Sequence, residues 1–386
     1  MSLTRVAVVC DLLEENWPSM DLVGEMLLNN LRKDHSASIL ATCLRPPMRR
    51  RFTRFARARN IAFNADRVLN RFWDYPRWLR RRNQDFDLFH IVDHSYGQLV
   101  HQLPAAQTVV TCHDLDLFRC VLDSSVTRRS TPFKAMARYV LRGMSKAARV
   151  TCPSDTTRNE LLAYELVPAD RVVTILNGVH PSCVPTRDLV ADAEAARSLG
   201  PIGEDAIDIL HVGSTIPRKR IDVLVRVLVS LREEFPKARL IRVGGPFTTV
   251  QMELVESFRL REAVVELPFL DRSVLAAVYR RAALLLQPSE REGFGLPVIE
   301  ALACGTPVVA SDLPVLREAG GQVATYCPVG DVRAWSESVI KLLYVRRHDP
   351  DRWSALQLAG VAHASKFSWA AYTNQVVALY QGLLGS

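Results

Sequence analysis

The chain has 386 residues, 48% hydrophobic and 23% charged, with a net charge of +8 at neutral pH. That length accommodates two domains with a core each, and the balance excludes a disordered polyelectrolyte or a low-complexity chain. No apolar run reaches the roughly 18 residues that span a bilayer, and the first ten residues lack the pattern of a signal peptide. The eight cysteines (10, 43, 112, 120, 152, 183, 304 and 327) are scattered, without Cys-x-x-Cys or a His at metal spacing. They read as buried free thiols in a reducing cytoplasm, and no metal site is expected.

Thr4 to Cys10 reads as a first buried strand. A loop from Asp11 to Met20 follows, with Ser19 or Asp21 as cap of a helix through Leu31. Ala37 to Cys43 is a second strand. From Arg45 to Arg82 thirteen arginines face only Asp66 and Asp74, a local charge of +11 that leaves −3 for the rest. Phe72, Trp73, Tyr75 and Trp78 interleave with them. Such a surface suits an anionic membrane or an anionic acceptor, and equally a plain solvated helix face. No nucleic-acid motif accompanies the charge, so nucleic acid is not an expected partner.

Phe86 to Val92 and Gln107 to Cys112 are further strands, followed by His94 and His113 at the carboxyl edge of a sheet. Pro132 to Ala148 has apolar residues at helical spacing, and Arg149 to Cys152 is a strand. Ser154 and Thr157 head the next helix, and Val172 to Leu176 runs into Asn177-Gly178-Val179, a turn or a hinge. The polar, proline-containing stretch 181–205 reads as a linker between a domain over 1–180 and one over 206–366.

The second half restarts with a strand from Ala206 to Val212, then Gly213 and Ser214, and Arg218-Lys219-Arg220 before a helix. Cations at a helix start oppose its dipole, which makes sense where an anion binds. Ala238 to Val243 ends in Gly244-Gly245, which permits close approach of backbone, and Val264 to Phe269 contains Pro268. Ala282 to Leu286 is an apolar strand, Gly293 and Gly295 allow a sharp loop, Pro297 opens a helix and Gly305 closes it. Glu292 precedes that helix and Glu300 lies within it, seven residues between. Paired carboxylates suit a polyhydroxylated ligand and equally a solvated surface.

The string from Glu292-Gly293-Phe294-Gly295-Leu296-Pro297 through Glu300-Ala301 to Gly305-Thr306-Pro307-Val308-Val309 and Ser311 resembles family 4 of the retaining glycosyltransferases. The resemblance implies the GT-B fold: α/β, two facing Rossmann-like doubly wound parallel sheets with a cleft between, and a final helix (367–386) crossing back to the first domain. It implies transfer of a hexose, without metal or cofactor, from a nucleotide-diphosphate sugar to an acceptor hydroxyl. GDP-mannose is the first expectation for the donor and a UDP-sugar the second. Glu292 would meet the donor sugar and Glu300 the ribose, while Arg218 and Lys219 would hold the diphosphate. His113 would contact the sugar. The backbone of Gly293, Phe294, Gly295 and Leu296, with Gly213, Ser214, Gly244 and Pro268, would line the donor site. Glycolipid, polysaccharide or cell-envelope glycan synthesis is the implied setting, with a lipid-linked or anionic acceptor and a place at the inner face of the membrane. A nucleotide-sugar epimerase and a non-catalytic sugar-nucleotide or membrane-binding module are the alternatives.

Overall fold

The computed structural model describes residues 3–54, 59–123, 129–200 and 206–385. Residues 55–58 of the arginine-rich segment and 201–205 of the expected linker lie outside them. Among the described residues, apolar and β-branched stretches form two six-stranded sheets in which every pairing is parallel. Parallel strands need crossover helices, which cover both faces and explain the continuous apolar runs. The chain divides into one unit of Met1–Gly178 with Trp369–Ser386, and a second of Val179–Ser368.

In the first unit β1 (Thr4–Val9), β2 (Ile39–Leu44), β3 (Leu88–Ile91), β4 (Thr108–Thr111), β5 (Arg149–Cys152) and β6 (Val172–Thr174) lie in the order β2-β1-β3-β4-β5-β6. The chain leaves β1 to one side for β2 and returns to its other side for β3, so a switch point lies between β1 and β3. The last helix, Trp369–Leu384, belongs to this unit: Tyr380 Oη lies 2.7 Å from Nδ1 of buried His90.

Two expectations shift here. The loop after β1 is shorter than expected, because the helix starts at Pro18 and runs to Asp34 with Trp17 as its N-cap. Proline at the first turn gives up an N–H that has no helical partner anyway, so Ser19 and Asp21 fall inside the helix. The arginine-rich segment is also less free than its charge suggests. Helix Arg59–Leu69 passes through one wide turn, Asn70–Asp74, into Tyr75–Arg80. Arg51 makes a two-pronged pair with Asp74 at 2.6 and 2.8 Å, and Arg45 reaches Asp21 at 2.6 Å. Buried Asp66 accepts from the backbone N–H groups of Arg51, Phe52 and Thr53.

In the second unit β7 (Ile207–Val212), β8 (Ala238–Val243), β9 (Val264–Leu267), β10 (Leu284–Gln287), β11 (Val308–Ser311) and β12 (Thr325–Cys327) take the order β12-β11-β10-β7-β8-β9. Successive strand residues enter different cores: Ile209, Leu240, Leu284 and Val309 one, Leu210, Ile241, Leu285 and Ala310 the other. That alternation is the two-residue period of a strand covered on both faces. The stretch expected as a linker instead contains helix Leu189–Leu199, which buries Ala191, Ala195 and Leu199 in this unit. Its apolar spacing was outweighed in the sequence by the prolines and polar residues around it. Asn177 and Gly178 are not among the residues of positive φ.

Candidate active site

The switch point of the second sheet lies between β7 and β10, and the loops leaving their carboxyl ends carry the candidate residues. After β7, Gly213 leads to a single turn, Pro217–Lys219, and Arg220 takes a left-handed conformation (φ 49°) before helix Ile221–Glu234. After β10 the chain passes through Ser289 and Glu292 to Gly295 (φ 98°), which precedes helix Leu296–Ala303 with Pro297 in its first turn. The two loops join where Glu290 N–H donates to Arg218 O at 2.8 Å.

Glu292 is the centre of this meeting. Its Oε1 accepts from Lys219 Nζ at 2.5 Å, Gln287 Nε2 at 2.6 Å and Ser289 Oγ at 2.7 Å. Arg218 Nη1 stands 3.7 Å from Oε2 and donates to Arg291 O at 2.7 Å. Burial alone would raise the Glu292 carboxyl, but Lys219 and Arg218, with the hydrogen bonds, hold it down at about 2. The carboxylate is therefore charged and its Oε1 saturated, while Oε2 faces a cation. Arg220, the third cation, is turned elsewhere: it grips Asp222 at 2.9 and 3.0 Å and touches Glu290 at 3.2 Å. It fixes the helix start.

Glu300 belongs to a different set of partners. It is 3% exposed, accepts from Tyr279 Oη at 2.9 Å, and has Arg272 Nη1 at 3.9 Å from its Oε1. Burial raises its carboxyl, and Arg272 and Tyr279 offset that only in part.

Two buried residues that the sequence did not single out lie beside the glycine turns, and one of them, Arg242, supports the turns. Arg242 donates to Gly213 O at 2.8 Å and contacts Gly245 O, and burial lowers its guanidinium to about 10. Gly244 (φ 125°) is required, because a Cβ there would sit 2.2 Å from Gly213 O. His211, at the end of β7, is fully buried and neither ring nitrogen has a hydrogen-bond partner. Burial, then Arg242 and Lys219, push it well below the usual imidazole range, so it is neutral. Gln287 is the one polar residue of β10, which was its available signal; β7 and β8 also carry Asp208 and Arg239, so His211 and Arg242 did not stand out.

The remaining predicted residues fall as follows. Ser214 is half-buried beside Gly213, and Pro268 is exposed just past β9. Phe294 is core: its ring packs on Phe367 at 5.8 Å, so only its backbone can serve a ligand. Gly293 and Leu296 are half-buried in the loop and the first helical turn.

His113 lies in the first unit, just past β4, and is 6% exposed. Its Nε2 donates to Val92 O at 2.7 Å, which leaves the lone pair on Nδ1, and its backbone N–H donates to His94 Nδ1 at 3.2 Å. Burial keeps it neutral. At the nearby switch point, Asp11 after β1 and Asp93 after β3 are both buried. Burial and the charge of Asp93 raise Asp11 well above the usual carboxylate range. The loop after β1 carries no recognisable motif that would mark Asp11 as more than its first residue.

Two doubly wound parallel units with a cation–carboxylate cluster at one switch point define a two-domain α/β protein of the GT-B kind. The second half, residues 192–354, matches the model of "Glycosyl transferases group 1", and residues 25–182 match "Glycosyltransferase Family 4". D-inositol 3-phosphate glycosyltransferase of Mycobacterium leprae is 32% identical over 75% of this chain and 67% of its own length. O-antigen chain mannosyltransferase B of Escherichia coli is 28% identical over 79% and 78%. The crystal structure of Anabaena Alr3699/HepE with UDP and glucose covers 98% of this chain and 100% of its own, with a TM-score of 0.73 at 14% identity, a likeness of fold. The match covers only 56% of the corresponding Thermobispora bispora D-inositol 3-phosphate glycosyltransferase. The chain belongs to the family of glycosyltransferases that these two models describe.

Proposed function

We propose that the protein is a retaining glycosyltransferase that moves a hexose from a nucleotide-diphosphate sugar to an acceptor hydroxyl. The observation that carries this is the Lys219–Glu292 contact, with Arg218 beside it, at the β7/β10 switch point. Two cations at one helix start suit a diphosphate, and a charged carboxylate next to them suits sugar hydroxyls. Lys219 and Arg218 stabilise the charge that develops on the departing diphosphate. Glu292 orients the sugar, Glu300 holds the ribose through its hydroxyls, and His113 contacts the sugar with Nδ1. No metal step is needed, and the leaving phosphate takes the acceptor proton.

GDP-mannose is the first donor of this reading, supported by the likeness to an O-antigen chain mannosyltransferase; a UDP-sugar is the second, supported by the fold likeness to a protein that binds UDP and glucose. Thermal shift with UDP, GDP and ADP tests the nucleotide: a ligand at about 100 times its Kd adds about 2.7 kcal/mol. Product analysis by NMR tests retention, since an inverted anomeric centre would refute it. Free isomerised donor formed without acceptor would favour an epimerase.

The same reading includes contact with an anionic membrane that carries a lipid-linked acceptor. Phe52, Ile61 and Trp73 are 47, 76 and 56% exposed in the arginine-rich segment, and Arg49 is exposed nearby. Exposed rings and arginines at about 1 kcal/mol each suit such a surface. Among the described residues no helix is long and apolar enough to cross a membrane. Cosedimentation with phosphatidylglycerol vesicles, but not phosphatidylcholine ones, is the expected result; binding to neither removes the membrane from this reading, and equal binding to both removes the role of the arginines.

A further inference from the structure

Seven of the eight cysteines are buried, and Cys43 is the exception, half-buried at the end of β2. Its Sγ lies 3.7 Å from that of Cys10, just past β1. The register pairs Val8 with Cys43, and since residues two apart share a face, Val8, Cys10 and Cys43 project from the same side of the sheet. The helix Pro18–Asp34 packs over this side so closely that a Cβ on Gly24 would come within 3.0 Å of Cys10 Sγ. Cys10 is thereby held in place.

The charges around the pair are unequal. Arg45 from the end of β2 and Arg32 from the helix face Cys43, against Asp21 of the same helix, which Arg45 grips at 2.6 Å. Arg45 also faces Cys10, there against buried Asp11, whereas Arg32 adds to Cys43; the Tyr75 hydroxyl lies 2.9 Å from Cys10 O. With both thiols protonated, Cys43 S–H points to Cys10 Sγ; when the more exposed, cation-flanked Cys43 ionises, the S–H of Cys10 becomes the donor.

We propose that Cys43 is a thiol-modification site, at which its thiolate, assisted by the S–H of Cys10, exchanges with low-molecular-weight disulfides. The thiolate attacks one sulfur of the disulfide R–S–S–R. One S–S bond breaks and one forms, giving a Cys43 mixed disulfide and R–S⁻, which takes a proton from solvent. Two factors support it further: hydrogen bonding from Cys10 comes first, and despite burial Arg45 and Arg32 also help to lower Cys43 to about 6. Cys10 moves the other way.

The test is the reaction of the full-length native protein with 5,5′-dithiobis(2-nitrobenzoic acid) across pH. One fast thiol per chain is expected, with its rate half-maximal near pH 6. Cys43→Ser should remove the fast phase, and Cys10→Ala should keep it but move its half-point up by about one pH unit or more. Peptide mapping of the wild-type adduct locates the label even if a variant folds poorly. A label elsewhere, or a half-point near the roughly 8.5 of an ordinary thiol, overturns the proposal. An unmoved half-point in Cys10→Ala overturns the part assigned to Cys10.

Discussion

Lys219 Nζ and Glu292 Oε1 lie 2.5 Å apart, and both side chains are almost wholly shielded, 11 and 8% exposed. Removing one partner strands the other charge, which costs about 3 kcal/mol or more in such settings. Glu292→Gln and Lys219→Met should each lose about that much in urea unfolding and lose transfer. The double variant should regain at least half of the stability and none of the activity. Additive losses would show that the pair does not act as a unit.

Glu292 also dictates a pH dependence. Its folded carboxyl is depressed to about 2 from an ordinary 4.5, so it stabilises the fold above the unfolded value and loses that contribution as pH falls toward 2. At 1.36 kcal/mol per unit the full contribution is about 3 kcal/mol. Unfolding of wild type and Glu292→Gln between pH 2 and 7 should therefore diverge as pH rises. Glu300 has the opposite sign: its folded value is raised, so its ionisation opposes folding as pH rises. Glu300→Gln should gain on wild type as pH increases.

The two glycines after β8 should respond differently to alanine. Gly244 has φ 125° and its Cβ would collide with Gly213 O at 2.2 Å; Gly245 has φ 99° and nothing within 4 Å. Gly245→Ala should cost about 1–2 kcal/mol from backbone strain alone. Gly244→Ala must also separate the two glycine turns and should cost clearly more, with nucleotide binding lost. Comparison of the two melting temperatures decides it.

Tyr279→Phe removes the hydroxyl 2.9 Å from Glu300 and little else. About 1–2 kcal/mol of stability should go, because a buried carboxylate loses a donor. If Glu300 holds the ribose, Kd for the nucleotide rises severalfold while the pH dependence attached to Glu292 stays. An unchanged Kd would detach Glu300 from nucleotide binding.

His211→Phe should be tolerated or stabilising by about 1 kcal/mol, since both ring nitrogens are buried without partners. If urea unfolding instead shows a loss of several kcal/mol, the imidazole has a partner that the protein atoms do not supply.

Much of the site was legible because it is local. The turn at Gly295, Pro297 in the first helical turn and the close at Gly305 (φ 79°) follow from φ preferences and the missing proline N–H. So does the cap of Asp155–Ala163, where Ser154 accepts from Thr157 N–H. The helix Leu189–Leu199 was missed because flanking prolines and charges hid a narrow stripe of Ala191, Ala195 and Leu199. The pairing within the arginine-rich stretch was not legible because charge counts ignore it, and Asp21, a partner of Arg45, lies outside that window.

Local chemistry alone determined the alternation of strands and helices and the identity of the glycine turns, because both depend on neighbours a few residues apart. It also marked Arg218, Lys219, Glu292 and Glu300 as candidates. Only the tertiary structure decided who meets whom. Lys219 and Glu292 are 73 residues apart and become neighbours because β7 and β10 pair in one sheet. Glu300 turns to Tyr279 and Arg272 instead. Strand order and packing set these contacts, and with them whether a carboxyl is held below its ordinary range, as at Glu292, or pushed above it, as at Glu300.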